Sequence, residues 1–449
     1  MSPLNKEILR LALPSILANI TIPLVGMVDI GVAGHLDTSA AALIGGISVG
    51  SLMFDMMYWN FGFLRAGTGG LTAQAFGREE WADCAANLRR GLSVALLSAL
   101  LLILVQWPFQ KLIFLFVHCS DEVKTLALKY FYIRIWAAPA TLSLMVLRGW
   151  FIGMQDSFSS MLTDLIVNGI NILMSIFLAL GLPGTSFRGI GFSGIAWGTV
   201  IAQYSGLIAA AFILLAKYRN IISAHKALSG LGKPLINREF FNVNRDLFVR
   251  SLCLMAVYLS FTAISARFGD TLLAMSSIMM KLMLIFSYFT DGFAFAGEAL
   301  TGRFIGRRDA PAVNQTVKWT FIWSMGIGAL FIFFYTIGGI PMFHLMTSDN
   351  SVVEASREFI PWLILMPLVG CPAFTWDGIY IGATATREMR DSNIGCVAAF
   401  MAVWFLGWIL LKPEGGGRVH LLFAAYYAHL IFRSLYQTFK YDHAVLRRV

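Results

Sequence analysis

The stretch LALPSILANITIPLVGMVDIGVAGHL, residues 11–36, decides how the rest of the sequence reads. It is apolar for longer than the roughly 20 residues a helix needs to cross a bilayer. Asp29 is its one acidic side chain, and it carries two prolines, Pro14 and Pro23. Each proline removes a backbone donor, freeing the carbonyl of Arg10 or Asn19 and favouring a bend. Asp29 lies roughly 22 Å beyond Pro14 at about 1.5 Å per residue, in the half of the span away from the N-terminus. An acid near a helix end can simply cap or hydrate a neighbour. Here apolar residues flank it and the loop begins only near Gly34, which favours a buried carboxyl in a functional role.

The remainder is of the same kind. Of 449 residues, 57% are hydrophobic and only 13% charged, whereas a soluble domain carries about 25% charge. An ordinary soluble enzyme, a disordered regulator and a nucleic-acid-binding protein are excluded. The apolar residues suffice for about twelve spanning helices, expected near 8–34, 41–65, 91–116, 126–153, 158–181, 190–216, 243–268, 272–300, 316–346, 355–383, 392–411 and 419–440. The N-terminus reads as a retained first helix, since no small-residue cleavage site is evident. Five scattered cysteines without CxxC support neither a disulfide framework nor a zinc site.

The net charge of +9 is placed unevenly. One set of connections holds Lys6, Arg10, Arg78, Arg89, Arg90, Lys217, Arg219, Lys226, Lys233, Arg245, Arg250, Arg307, Arg308, Arg387, Arg390, Lys440, Arg447 and Arg448. The other holds mainly Lys124, Lys129, Arg188, Arg267, Arg357, Lys412 and Arg418. The positive-inside bias then puts both termini in the cytoplasm. The longest polar connection divides the chain into an N-terminal lobe (1–216), a linker (217–242) and a C-terminal lobe (243–449).

The two halves repeat. SDEVKTLALKYFYIRIWAAP (120–139) aligns on SDNSVVEASREFIPWLILMP (348–367), pairing Ser120 with Ser348 and Pro139 with Pro367. After a one-residue slip, RGWFIG (148–153) meets DGIYIG (377–382), and TAQAFGREE (72–80) faces TGRFIGRRD (301–309). Matched segments run the same way through the membrane. The expected fold is therefore all-α and polytopic, with twelve helices in two six-helix lobes related by a pseudo-two-fold along the membrane normal.

Polar groups inside spans mark candidate pathways. The fifth helix carries Asp164, Asn168, Asn171 and Ser175, spaced 4, 3 and 4 along one face. Such oxygens suit a cation or a carboxyl, and they equally suit adhesion between helices. Thr199, in GIAWGTVIAQ, can add another oxygen or bond its own backbone. The second lobe offers Lys281, Asp291 and Glu298 on helix eight and Asp377 on helix ten, with Lys281 and Asp377 a possible neutralising pair. Asp55, Arg65, Arg134 and Arg433 read as candidates for structural ion pairs. The sequence holds no HExxH, DDxxD, Walker A or GxSxG motif. Any energy input is therefore expected from an ion gradient, with no cofactor.

The first-helix pattern of Pro14 and Asp29, the two six-helix halves and the stretch RGWFIGMQDS (148–157) resemble the multidrug and toxic compound extrusion (MATE) transporters of the DinF branch. The resemblance implies antiport by alternating access, with substrate expelled as protons or sodium enter. It implies that Asp29 couples to the ion, that Pro14 and Pro23 serve bending, and that Asn171 and Thr199, with Asn168 and Ser175, complete the site. A sodium ion would sit at Asp29, Asn171 and Thr199. Relatives often carry Asn-x-x-x-Asp on helix five, where this chain has NILMS with Ser175. Helix seven, VRSLCLMAVYLSFTAISARF, also lacks the acid that sodium-coupled relatives place there. With one carboxyl remaining, protons are favoured over sodium. The implied setting is the bacterial cytoplasmic membrane, with a monomer in lipid, small amphipathic organic substrates and no nucleic acid. The alternatives are a lipid-linked precursor flippase of the wider superfamily and a membrane scaffold without transport.

Overall fold

A computed structural model describes residues 2–36, 40–117, 119–182, 187–228, 238–347 and 349–449, without the side chains of 116 and 224–228. Every element among the described residues is helical. In chain order they are α1 (Pro3–Gly34), α2 (Ala40–Tyr58), α3 (Gly62–Gly77), α4 (Trp81–Phe116), α5 (Asp121–Arg134), α6 (Ala138–Gly153), α7 (Ser157–Leu180) and α8 (Phe192–Leu228). There follow α9 (Arg238–Ser265), α10 (Asp270–Gly306), α11 (Ala310–Met346), α12 (Asn350–Gly382), α13 (Thr386–Leu411) and α14 (Gly417–Ala444). Single 3₁₀ turns join α2 to α3 and α5 to α6, so each pair forms one crossing and the crossings number twelve. The second break precedes Pro139 in the first turn of α6, where a missing N–H costs least. Eleven crossings are apolar and long enough to span a bilayer. The twelfth, α14, is diluted by His420, His429, Arg433 and Gln437. The chain is a multi-pass membrane protein.

Most helices extend past their apolar runs. The second crossing continues to Gly77 and α4 begins at Trp81, where hydropathy alone stops near 65 and restarts near 91. Helix backbone satisfies its own polar groups, so charged residues can continue a helix into the headgroup region.

The chain forms two compact units, Leu17–Arg238 and Met1–Ile16 with Glu239–Val449. The division thus passes through α1, two residues after Pro14. Within the second unit Glu7 meets Arg303 Nη1 at 2.6 Å, and Trp323 Nε1 donates to Asn5 Oδ1 at 3.2 Å.

The internal repeat runs at one constant spacing. A Cβ on Gly149 would stand 2.0 Å from the Arg65 carbonyl oxygen, and one on Gly378 would stand 2.0 Å from that of Ala294. Each member of the second contact lies 229 residues after the first, as 378 lies after 149. The same spacing relates two pairs of helix-ending turns, Glu79 with Arg308 and Gln155 with Thr384, all in the left-handed region. After each of these residues an N–H reaches back five residues, as from Asp156 to Phe151 and from Ala385 to Tyr380, closing a Schellman turn. This corrects the pairing of Pro139 with Pro367, which is one residue out. The helix caps at this step are Ser120 and Asp349; both Ser and Asp are good caps, so the two Ser-Asp dipeptides match by composition one position away from the true register. Ser348 and Lys233 lie outside the described residues, as does the side chain of Lys226.

At 2.0 Å no side chain fits without moving backbone. Gly149→Ala and Gly378→Ala are each expected to lower the thermal midpoint of the detergent-purified protein, with a cost of about 1–3 kcal/mol or more. Gly26→Ala, with nothing within 4 Å, should leave it almost unchanged.

Candidate functional site

The polar face of α7 is held in position from its first turn. Asp156 caps the helix, accepting from Ser159 N at 3.2 Å and Ser159 Oγ at 2.5 Å. From α8, Lys217 Nζ and Tyr218 OH donate to the same carboxylate at 2.6 and 2.7 Å. Burial works to raise this carboxyl, but the Lys217, Ser159 and Tyr218 donors outweigh it and hold it below the usual carboxylate range. Further along, Gly198 lets α8 approach closely, since a Cβ there would stand 2.6 Å from Ser175 N.

The buried side of α7 then presents Thr163, Val167, Asn171, Ser175 and Ala179, one residue per turn. Asn171 Nδ2 donates to Thr199 Oγ1 on α8 at 3.0 Å. The Ser175 hydroxyl faces the Asp29 carboxyl of α1. Asp29, Asn171, Ser175 and Thr199 are all buried. Among the described residues Asp29 Oδ1, Asn171 Oδ1 and Ser175 Oγ make no aligned hydrogen bond, although the Ser175 hydroxyl is beside the Asp29 carboxyl. Buried oxygens are nearly always satisfied, so this cluster of oxygens around one carboxyl has capacity for a proton, a water or a small cation. No group of three or more His, Cys, Asp or Glu side chains suited to a metal occurs among the described residues.

The expected polar stripe on α7 is divided in two. Asp164 forms an ion pair with Arg148 Nη2 of α6 at 2.5 Å. Asn168 Nδ2 donates to Thr21 Oγ1 at 2.6 Å and ties α7 to α1. One basic side chain goes beyond the sequence reading: Arg134 of α5 lies over the Phe54 ring, 4.7 Å from its centroid, and its Nη1 donates to Tyr130 OH at 3.0 Å. Its setting in the run YFYIRIWAAP, a lone cation among aromatic residues, was the available signal. Pro14 and Pro23 leave α1 an uninterrupted helix from Pro3 to Gly34.

In the second unit Asp377 does not pair with Lys281, whose side chain is exposed on α10. Asp377 instead takes Arg250 of α9, Arg433 Nη1 of α14 at 3.3 Å and Gln437 Nε2 at 3.4 Å. Arg250, counted with the basic connections although it falls within the expected helix 243–268, lies in the interior of α9 and reaches Asp377 from there. Asp291 is half-buried on α10. Arg148 and Asp377 are repeat equivalents, so each unit buries an ion pair at this position with the signs exchanged. The buried oxygens of α7 have no such counterpart: the residues 229 positions after Asn171 and Ser175 are Phe400 and Trp404.

Comparison with known proteins agrees with this organisation. The MatE family model matches twice, at residues 14–177 and 247–410. DNA damage-inducible protein F of Escherichia coli (strain K12) is 32% identical over 413 residues, covering 90% of this chain and 86% of that one. The probable multidrug resistance protein NorM of Photorhabdus laumondii is 24% identical, covering 91% and 86%. The crystal structure of the Vibrio cholerae MATE transporter VcmN in the bent form superposes with TM-score 0.81 at 14% identity, covering 99% of this chain and 98% of that one. The chain belongs to the MatE family of multidrug efflux transporters.

The Asp156 cap yields a pH test. Its carboxylate is better held in the folded than in the unfolded chain, whose carboxyl titrates near 3.9. The stabilisation is therefore full above about pH 5 and disappears as pH falls through the lower folded-state value. Asp156→Asn is expected to lower the thermal midpoint at pH 7, and the gap to wild type should shrink as the scan is repeated towards pH 3.

Proposed function

We propose that the protein is an ion-coupled efflux antiporter working by alternating access. Asp29 binds and releases the coupling ion, with protons favoured over sodium. The observation that carries this reading is the buried Asp29 carboxyl set among neutral oxygens, with no aligned hydrogen bond on Asp29 Oδ1, Asn171 Oδ1 or Ser175 Oγ. A proton needs a single lone pair. Sodium needs several oxygens and compensating negative charge, and the hydroxyl of Ser175 stands where a second carboxylate would supply it. Asn171 and Thr199 hold the neutral side of the site, and Pro14 and Pro23 supply the weak points in α1 at which bending would follow protonation.

The names of the multidrug-resistance relatives support small amphipathic organic substrates. The uneven placement of basic residues supports the cytoplasmic membrane with both termini inside. The energetics suffice. One charge crossing 100 mV releases about 2.3 kcal/mol, which sustains a gradient of roughly 50-fold in a neutral substrate.

The test is transport in proteoliposomes with imposed proton or sodium gradients and a panel of cationic and neutral amphiphiles. Asp29→Asn is nearly isosteric and removes the titratable charge, so it should abolish gradient-driven export at equal expression; undiminished efflux would overturn the assignment. Ser175→Asp, once checked for monodispersity, should make efflux newly sensitive to sodium replaced stepwise by choline. A wild type that tracks sodium steeply and ignores pH would refute proton coupling.

A further inference from the structure

We propose that the Arg250–Asp377–Arg433 group of the second unit binds the headgroup of an amphiphile carrying a single negative charge: a carboxylate, a sulfonate or a phosphate diester. The inference names a substrate class for the proposed efflux activity and rests on that activity for transport, whereas the binding itself needs no coupling ion.

Two arginines converge on one carboxylate. Asp377 of α12 accepts from Arg250 Nη2 of α9, from Arg433 Nη1 of α14 at 3.3 Å and from Gln437 Nε2 at 3.4 Å. The last two contacts are longer than the usual range of about 2.7–3.2 Å, so Asp377 holds Arg433 loosely. The Arg433 side chain is only 2% exposed, and its guanidinium lies over the Phe374 ring, 5.4 Å from the centroid. Among the described residues Arg433 Nε, Arg433 Nη2 and Arg250 Nε make no aligned hydrogen bond. A guanidinium presents its donors as a planar fork that suits two oxygens of one anion. On Arg433 two of the three nitrogens are therefore still open to such an anion. The Arg250 and Asp377 side chains are 16% and 12% exposed, which makes their side the open edge of the group and Arg433 its closed end.

The charge count separates this group from a structural ion pair. Two guanidinium groups and one ionised carboxylate leave one positive charge, since arginine stays protonated. The matching pair of the first unit, Arg148 with Asp164, is one to one and neutral. Next to the group, Arg245 and Arg390 share Asp246, and Arg390 also takes Asp391. Those four side chains carry two charges of each sign, with none to spare. A surplus charge inside a membrane protein is costly unless it meets a partner. An anion from outside the chain supplies that partner, and one negative charge is all the surplus can neutralise. Asp377 stands five residues before the end of α12 at Gly382, roughly 7.5 Å along the axis. At that depth a headgroup can reach the arginines while the apolar body stays at the level of the acyl chains, so the ligand is an amphiphile and not a small inorganic ion.

The experiment uses the full-length protein in vesicles of neutral lipid. Two probes share one dansyl fluorophore and alkyl chain, one ending in a sulfonate and the other in a quaternary ammonium. Binding is read by fluorescence titration without an ion gradient, and efflux with one. Arg250→Gln removes the surplus charge at the open edge and is expected to lower the sulfonate-to-ammonium affinity ratio about ten- to hundredfold. Asp377→Asn removes the competing carboxylate and is expected to raise the ratio by a similar factor. Combining the two substitutions leaves one positive charge on Arg433 and should bring the ratio back towards wild type, which covers the case in which a single variant folds poorly. A ratio that moves the same way in both single variants, or in neither, overturns the proposal. Phosphatidylglycerol added to the vesicles separates two sources of the same chemistry: competition with the sulfonate probe identifies a membrane phospholipid as the occupant, and undisturbed probe binding identifies an exported compound. If Asp29→Asn exports both probes as wild type does while the ratio responds as expected, the coupling reading fails and the binding site stands.

Discussion

Each unit of the protein depends on one close approach between two helix backbones. α6 lies against α3 at Gly149, and α12 lies against α10 at Gly378, in both cases with a carbonyl oxygen where a side chain would begin. Lipid tails are as apolar as leucine, so burial alone does little to join helices in a bilayer. Association relies on tight van der Waals contact and on small residues that permit it. The remaining helices are arranged around these pairs, and the Schellman turns that end α3, α6, α10 and α12 fix where each next helix starts.

On this duplicated frame the polar residues are strongly unequal. The first unit buries a carboxyl, an amide and two hydroxyls from α1, α7 and α8, namely Asp29, Asn171, Ser175 and Thr199. The second unit has Phe400 and Trp404 where α7 carries Asn171 and Ser175, and it holds Asp377 with Arg250 and Arg433. Intramembrane charge is costly enough that it persists where it has a use or a partner. Asp377 of the second unit has its charge partnered by two arginines, whereas Asp29 of the first keeps an open oxygen.

Much of this was legible in the sequence. Hydropathy marks eleven of the crossings clearly and α14 only weakly, and spacing alone places Asn171 and Ser175 on one face of α7. Two things escaped for physical reasons. Helix ends were read short, because hydropathy reports where lipid lies and not where the backbone stops hydrogen bonding. The partner of Asp377 was misread, because Arg250 sits in a segment whose polarity resembles a connection, while its partner lies 127 residues away in sequence. Arg134 is visible in the sequence as an intramembrane cation, but its stacking on Phe54 depends on Gly50 and the packing of α2 on α5, which no local pattern reveals.

The division of the chain within α1 bears on biosynthesis. Residues 2–16 are synthesised well before residues 239–449, yet they pack in one unit with them. At about 5–20 residues per second, the amino-terminal turns wait tens of seconds for Arg303 and Trp323. The contacts of Glu7 with Arg303 and of Asn5 with Trp323 therefore close late, joining a segment made early to helices made nearly 300 residues afterwards.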